Sequence, residues 1–167
     1  DTGGHGARRP GLGPPRVDDR GVGRGGAAEK GVDGITEDSV AGLYSCKKVG
    51  FAPCTAEACI DMLDHYGVEL AGKRAVVVGR SFVVGKPVAM MLLERDATVT
   101  VCHTKTKNLA ALCREAEILV VAIGHGKMIG REYLSPGQVI VDIGINFDEN
   151  GKLCGDVDFE NVKEKCS

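Results

Sequence analysis

Apolar and polar positions alternate in blocks along most of this chain, and the blocks predict its elements. Ala75–Val78 is a short, β-branched apolar run with no polar interruption, as expected of a strand buried on both faces in a parallel sheet. Similar runs recur at Thr98–Cys102, Ile118–Ile123 and Val139–Ile143. Between them Val84–Glu94 and Asn108–Ala116 carry helix-forming composition. Upstream, Thr55 is placed to cap a helix that Gly67 ends, with Ala58, Cys59, Met62 and Tyr66 as its apolar positions. Strands alternating with helices of this length predict an α/β fold. It is a Rossmann-like, doubly wound parallel sheet with helices on both faces.

Residues 1–29 break this pattern. They are rich in Gly, Arg and Pro, nearly free of large aliphatics, and aperiodic. Such a segment buries too little apolar surface to offset its ordering entropy, so the expectation is a disordered leader outside the fold. An arginine/glycine arm for RNA or anionic lipid is the rival reading; the mixed signs around Asp18 and Asp19 and the lack of aromatics weigh against it.

Composition narrows the class. The 167 residues are 43% hydrophobic and 26% charged, with a net charge of −2, within the range of globular proteins. No basic excess points to nucleic acid or a membrane surface, and runs such as Val120–Gly124 are too short to span a bilayer. The seven cysteines form no CxxC pair and no even framework, which fits a reducing compartment better than a disulfide scaffold. The expected location is cytoplasmic, with an organelle left open. No metal-ligand spacing stands out: the carboxylates of Gly155-Asp156-Val157-Asp158 read as a solvated turn, and His125 as a loop residue.

The candidate chemistry lies at the carboxyl ends of the strands, where doubly wound sheets bind ligands. Gly79-Arg80-Ser81 follows the first strand, and Gly85 and Pro87 open the next helix. A helix N-terminus there gathers unpaired N–H groups and positive dipole, a setting for phosphate. NAD sites carry an acid after the second strand, on the ribose 2′-OH. Here that position reads His103-Thr104-Lys105-Thr106, and Arg80 stands in the neighbouring loop. A guanidinium with hydroxyls and a lysine suits a 2′-phosphate, so NADP is preferred over NAD. His103 reads as a structural histidine at the strand end. Asp142-Ile143-Gly144-Ile145-Asn146 ends the fourth strand, where backbone groups could meet a nicotinamide or the glycine could simply turn the chain.

The ordered segments GRSFVVGKP, TVTVCHTKT, AEILVVAIG, VIVDIGINFDENGKL and GDVDF resemble the methylenetetrahydrofolate dehydrogenase/cyclohydrolase family, as does KGVDGITEDSVAGLYSCKKVGFAPCTAEAC upstream. The resemblance covers roughly residues 30–160. It implies oxidation of 5,10-methylenetetrahydrofolate with NADP, hydrolysis of the methenyl product to 10-formyltetrahydrofolate, and a homodimer joined through the nucleotide domain. It implies that Gly79, Arg80, Ser81 and Thr104 bind the cofactor, that the Ile145 backbone faces the nicotinamide, and that Asp33 meets the folate pterin. It also divides the chain: 1–29 leader, 30–60 remnant of the folate domain with its connecting helix, and 61–167 NADP-binding domain.

The departures are equally specific. The family's Tyr-x-x-x-Lys pair precedes this region, and residues 1–29 hold neither lysine nor aromatic. Its closing Pro-Val-Pro-Gly-Gly segment is missing. The family's PCTPxG stands as Pro53-Cys54-Thr55-Ala56-Glu57-Ala58, which favours helix over a constrained turn. No residue is therefore assigned a catalytic role, and the chain alone is expected to bind cofactor but to turn over poorly or not at all. The alternative is a non-catalytic nucleotide-binding or dimerisation module.

Overall fold

β1 (Arg74–Val78), β2 (Thr98–Cys102), β3 (Ile118–Val121) and β4 (Val139–Asp142) form one sheet in the order β2-β1-β3-β4, every pair parallel. The computed structural model describes residues 41–42 and 52–163, so the leader and Asp33 lie outside the described residues. In register, Val78 stands opposite Cys102 on one side and Val121 on the other, and Val121 opposite Asp142. The four strands therefore end in one row. The chain leaves β1 for β2 on one side and returns past it to β3 on the other, which makes the carboxyl ends of β1 and β3 the switch point of the sheet.

The apolar runs are unbroken because both faces are covered. On one face Ala75, Val77, Ile118, Val120 and Val141 pack against α1 (Cys54–His65) and α2 (Gly85–Glu94). On the other, Val76, Val78, Cys102, Leu119 and Val121 meet Cys113 of α3 (Leu109–Glu115), Ile129, Leu134 and Val162 of the short α4 (Phe159–Val162). Helices on both faces of a parallel sheet are what the strand spacing predicted. Beyond β4 a small antiparallel hairpin, β5 (Asn146–Phe147) and β6 (Leu153–Cys154), completes the described structure.

The first helix differs from expectation. Its buried residues are Ala56, Cys59, Ile60 and Leu63; of the expected apolar positions Cys59 is therefore buried, whereas Met62 and Tyr66 are exposed large apolar residues and Ala58 is exposed too. Both sets obey helical spacing, and the set with the heavier branched aliphatics turns inward because it removes more apolar area from water. Thr55 lies inside the helix; Pro53 stands at its N-cap with no side-chain cap. The other end behaves as predicted. Gly67 takes φ +66°, its N–H donates to Asp64 O, and Val68 N–H donates to Leu63 O, the paired bonds of a Schellman stop.

The amino ends of the strands are tied by side chains. Glu117 accepts from Lys73 Nζ and from Arg74 N–H, each at 3.1 Å. Gln138 donates to Cys113 O at 2.7 Å and Ala116 O at 2.6 Å, and accepts from Ser135 N–H at 2.7 Å.

The buried cysteines behave as small hydrophobes. Burial pushes the Cys59 thiol up to about 11 and the Cys113 thiol up to about 12. In the unfolded chain thiols ionise near 8.5, so at higher pH the unfolded state binds fewer protons than the folded one. Stability from these groups is intact below about pH 8.5 and falls as pH rises toward their folded values. A urea midpoint level near neutrality and dropping above about pH 9, by roughly 1.4 kcal/mol per pH unit per thiol, is expected. The Cys59→Ala/Cys113→Ala double variant should flatten the drop; an unchanged slope would assign it to other groups.

Candidate functional site

The site grows from the chain leaving β1. Gly79 has φ +127°, a region closed to side chains. A Cβ there would sit 2.9 Å from the Ala122 carbonyl carbon and closer still to its oxygen. Gly85, the first residue of α2, would collide in the same way with the carbonyl of Gly79. The two glycines let the end of β1, the loop after β3 and the start of α2 meet at backbone contact.

Ser81 then spends the helix start. Its Oγ accepts from Val84 N–H at 3.1 Å and Gly85 N–H at 3.2 Å, and its carbonyl accepts from Lys86 N–H at 3.0 Å. Pro87 has no N–H. The N–H groups expected to await a phosphate at the start of α2 are thus already used, because a hydroxyl fixed three residues upstream reaches them at little entropic cost. The N–H groups of Arg80, Ser81, Phe82 and Val83 make no hydrogen bond among the described residues. Any anion held by backbone here would be held by the loop, together with the Ser81 hydroxyl proton.

Across from this loop stands the end of β2. A cleft of about 260 Å³ runs between them, with Arg80, Ser81, His103, Thr104, Ile123 and His125 among its walls. At that size it takes part of a dinucleotide, since complete ligand pockets run roughly 300–1,000 Å³. Arg80 and Thr104 are exposed on its two sides. His103 is held at the strand end: its N–H donates to Thr106 Oγ1 at 2.8 Å and its Nδ1 accepts from Lys105 N–H at 3.1 Å. Nδ1 being the acceptor, the neutral ring carries its proton on Nε2. His125, read from sequence as a loop residue, lies in a loop and also lines this cleft.

A larger cleft of about 420 Å³ lies along β4. Its polar lining is committed elsewhere: Gln138 serves three backbone groups and Asp142 serves Gly144, Asp156 and Val157. It lacks the free, convergent polar groups that the Arg80 cleft has.

The carboxyl end of β4 corrects the sequence reading of the GDVD segment. Asp156 is fully buried, not solvated. Its Oδ2 accepts from Ile123 N–H at 2.7 Å and Gly124 N–H at 3.0 Å, and its Oδ1 accepts from Asn146 Nδ2 at 2.8 Å. Asp142 accepts from the N–H groups of Asp156 at 3.1 Å and Val157 at 2.9 Å. Each aspartate lies against a glycine, Asp156 against Gly144 and Asp142 against Gly155, where a Cβ would overlap the carboxylate. The pairing of Asp142-x-Gly144 with Gly155-Asp156 was the available signal, and the turn reading passed over it.

Gly79, Arg80, Ser81 and Thr104 are thus brought together in one cleft. Ile145 is not among its lining residues; it lies after β4, 78% exposed. Among the described residues no three His, Cys, Asp or Glu side chains are grouped to hold a metal ion, and no helix is long and apolar enough to cross a membrane.

Comparison with known proteins gives a consistent result. Residues 53–167 match the family described as tetrahydrofolate dehydrogenase/cyclohydrolase, NAD(P)-binding domain. The bifunctional protein FolD of Carboxydothermus hydrogenoformans is 52% identical over 137 residues, covering 81% of this chain and 48% of that protein. The crystal structure of the bifunctional FolD methylenetetrahydrofolate dehydrogenase/cyclohydrolase from Campylobacter jejuni superposes with a TM-score of 0.79 at 43% identity, over 81% of this chain and 48% of its own. The Trypanosoma brucei enzyme, solved with NADP cofactor and inhibitor, gives 0.75 at 35% identity, over 83% and 50%. The chain therefore spans about half the length of the relatives it matches.

Proposed function

The chain belongs to the tetrahydrofolate dehydrogenase/cyclohydrolase family, and on that premise we propose that it supplies the NADP side of 5,10-methylenetetrahydrofolate oxidation. In the complete enzyme the methenyl product is then hydrolysed to 10-formyltetrahydrofolate. NADP, when bound, accepts the hydride from the folate's bridging methylene carbon. The residues of this chain bind and orient it. Arg80 and Thr104 hold the 2′-phosphate from opposite sides of the cleft. Gly79 lets the backbone turn there, Ser81 fixes the start of α2, and the Ile145 backbone meets the nicotinamide. Asp33 is assigned to the folate, and a second copy of the nucleotide-binding domain to the dimer. The assigned location is the cytoplasm.

The observation that carries this reading is the donor set around the cleft. Arg80, Ser81, His103 and Thr104 line it and no carboxylate does, so a 2′-phosphate meets hydrogen-bond donors without a repelling charge. A guanidinium–phosphate contact contributes about 1.5–3 kcal/mol, or roughly tenfold to a hundredfold in affinity. Calorimetry should therefore show wild-type protein preferring NADP+ to NAD+. Arg80→Ala should lose most of that preference while NAD+ affinity stays within about twofold. Equal losses for the two cofactors would remove Arg80 from 2′-phosphate recognition, and a wild type that binds neither would sink the proposal.

A further inference from the structure

We propose that the buried Asp156 carboxylate positions the nicotinamide end of the cofactor site, acting through Asn146 and through the backbone of Ile123 and Gly124. The inference rests on the dinucleotide reading above and names residues which that reading does not include. If the 2′-phosphate lies between the carboxyl ends of β1 and β2, the rest of a dinucleotide crosses the switch point toward β3 and β4. That end of the sheet is built from irregular backbone: Ile123-Gly124 after β3, and residues 143–145 between β4 and β5. Regular ladder bonds hold neither segment beyond its first residue.

Asp156 joins them. One carboxylate oxygen takes both N–H groups after β3, and the other takes the side-chain amide of Asn146, the residue after Ile145. Ile123 itself lines the cleft. Asp156 is in turn seated on the last residue of β4, since its own N–H and that of Val157 donate to Asp142. Gly144 passes so close to Asp156 that no side chain fits between them. The two loops are thus referred to one buried anion and through it to the sheet, in addition to the backbone bonds from Ile143 N–H to Val121 O and from Lys127 N–H to Gly155 O. Such anchoring matters at a reacting end, where displacement by about 1 Å is enough to spoil alignment.

The bond between Asn146 and Asp156 offers a reciprocal test. Asn146→Asp sets a second carboxylate against the first, and like charges at that distance force the segments apart. Adding Asp156→Asn restores a donor–acceptor pair with the roles exchanged, while the new amide oxygen still accepts from Ile123 and Gly124. Calorimetry would use NADP+ and adenosine 2′,5′-bisphosphate, which has the phosphates but no nicotinamide; a thermal melt would confirm that each variant is folded. Asn146→Asp is expected to weaken NADP+ by about fivefold or more, to leave the bisphosphate within about twofold, and to be corrected by the second substitution. Asn146→Ala, which only deletes the tie, should show the same selective loss and serves if the charged variant does not fold. Equal weakening of both ligands, no weakening of NADP+, or no recovery in the double variant overturns the inference. If the wild type binds neither ligand, the dinucleotide reading itself fails, and this inference with it.

Discussion

Alanine at position 79 is expected to abolish cofactor binding and to lower folding stability by roughly 2–6 kcal/mol. Two independent penalties add at this residue. A backbone with φ +127° is outside the range that L side chains adopt, which costs of order 1–3 kcal/mol. The new Cβ would also lie inside the contact distance of the Ala122 carbonyl, 2.9 Å from its carbon, and relieving such overpacking costs about 1–3 kcal/mol more. Neither partner can yield cheaply. Ala122 N–H donates to Val78 O and Gly79 N–H donates to Cys102 O, so both backbones are extensions of the central ladder. Any relief moves Arg80 and Ser81 away from Thr104. Gly67→Ala is the internal control. It also has a positive φ, but a Cβ at that position would meet nothing within 4 Å, so only the smaller conformational cost applies. Urea denaturation of the two variants, with NADP+ titration of each, separates the effects. A Gly79→Ala protein no less stable than Gly67→Ala would contradict the packing argument.

Gln138→Leu should be comparably destabilising while leaving the proposed cofactor site intact. Gln138 is 6% exposed and satisfies the carbonyls of Cys113 and Ala116 and the N–H of Ser135. Leucine serves none of them. A buried polar group left without a partner costs about 1–3 kcal/mol; the Cys113 carbonyl keeps the Ala116 N–H, so the Ala116 carbonyl and the Ser135 N–H together amount to roughly 2–6 kcal/mol, a large part of the ~5–15 kcal/mol that holds a domain together. The residue immediately precedes β4, at the amino end of the sheet. The cleft proposed for the cofactor is at the other end of the strands, which rise about 3.3 Å per residue. Below its melting temperature the variant is therefore expected to bind NADP+ as the wild type does. A loss of affinity in the folded variant would mean that the two ends are coupled. A denaturation midpoint within error of wild type would mean that Gln138 is not holding these groups.

These positions also mark what could be read before folding. Gly79 and Gly85 stood out because a glycine after an apolar strand and another at a helix start need only their immediate neighbours to be interpreted. The end of β2 was legible for the same reason: His103-Thr104-Lys105-Thr106 lacks an acid whatever surrounds it. Gln138 was not singled out, because nothing in Pro136-Gly137-Gln138-Val139 shows that two carbonyls from residues 113 and 116 will converge on its amide. The first helix shows an intermediate case. Its period and the burial of Cys59 were read correctly and the rest of its buried face was not, since Ala58-Met62-Tyr66 and Ala56-Ile60-Leu63 are both helical stripes and only the greater apolar area of the second decides between them.

By itself the sequence determined the order of strands and helices, the parallel sheet, the family, and the loop at which the cofactor reading centres. The elements, the sheet and the loop depend on side-chain period, β-branching and glycine conformation, which act between near neighbours in the chain; the family rests on the resemblance of the ordered motifs. Only the tertiary structure decided that Ser81 consumes the first N–H groups of α2, and that Asp156 is a buried anchor where a solvated turn was expected. A carboxylate's surroundings are set by partners distant in sequence: Ile123 and Gly124 lie 33 and 32 residues from Asp156. Until the strands are laid side by side those N–H groups are not near it. Whether an aspartate faces water or the donors that let it be buried depends on that assembly.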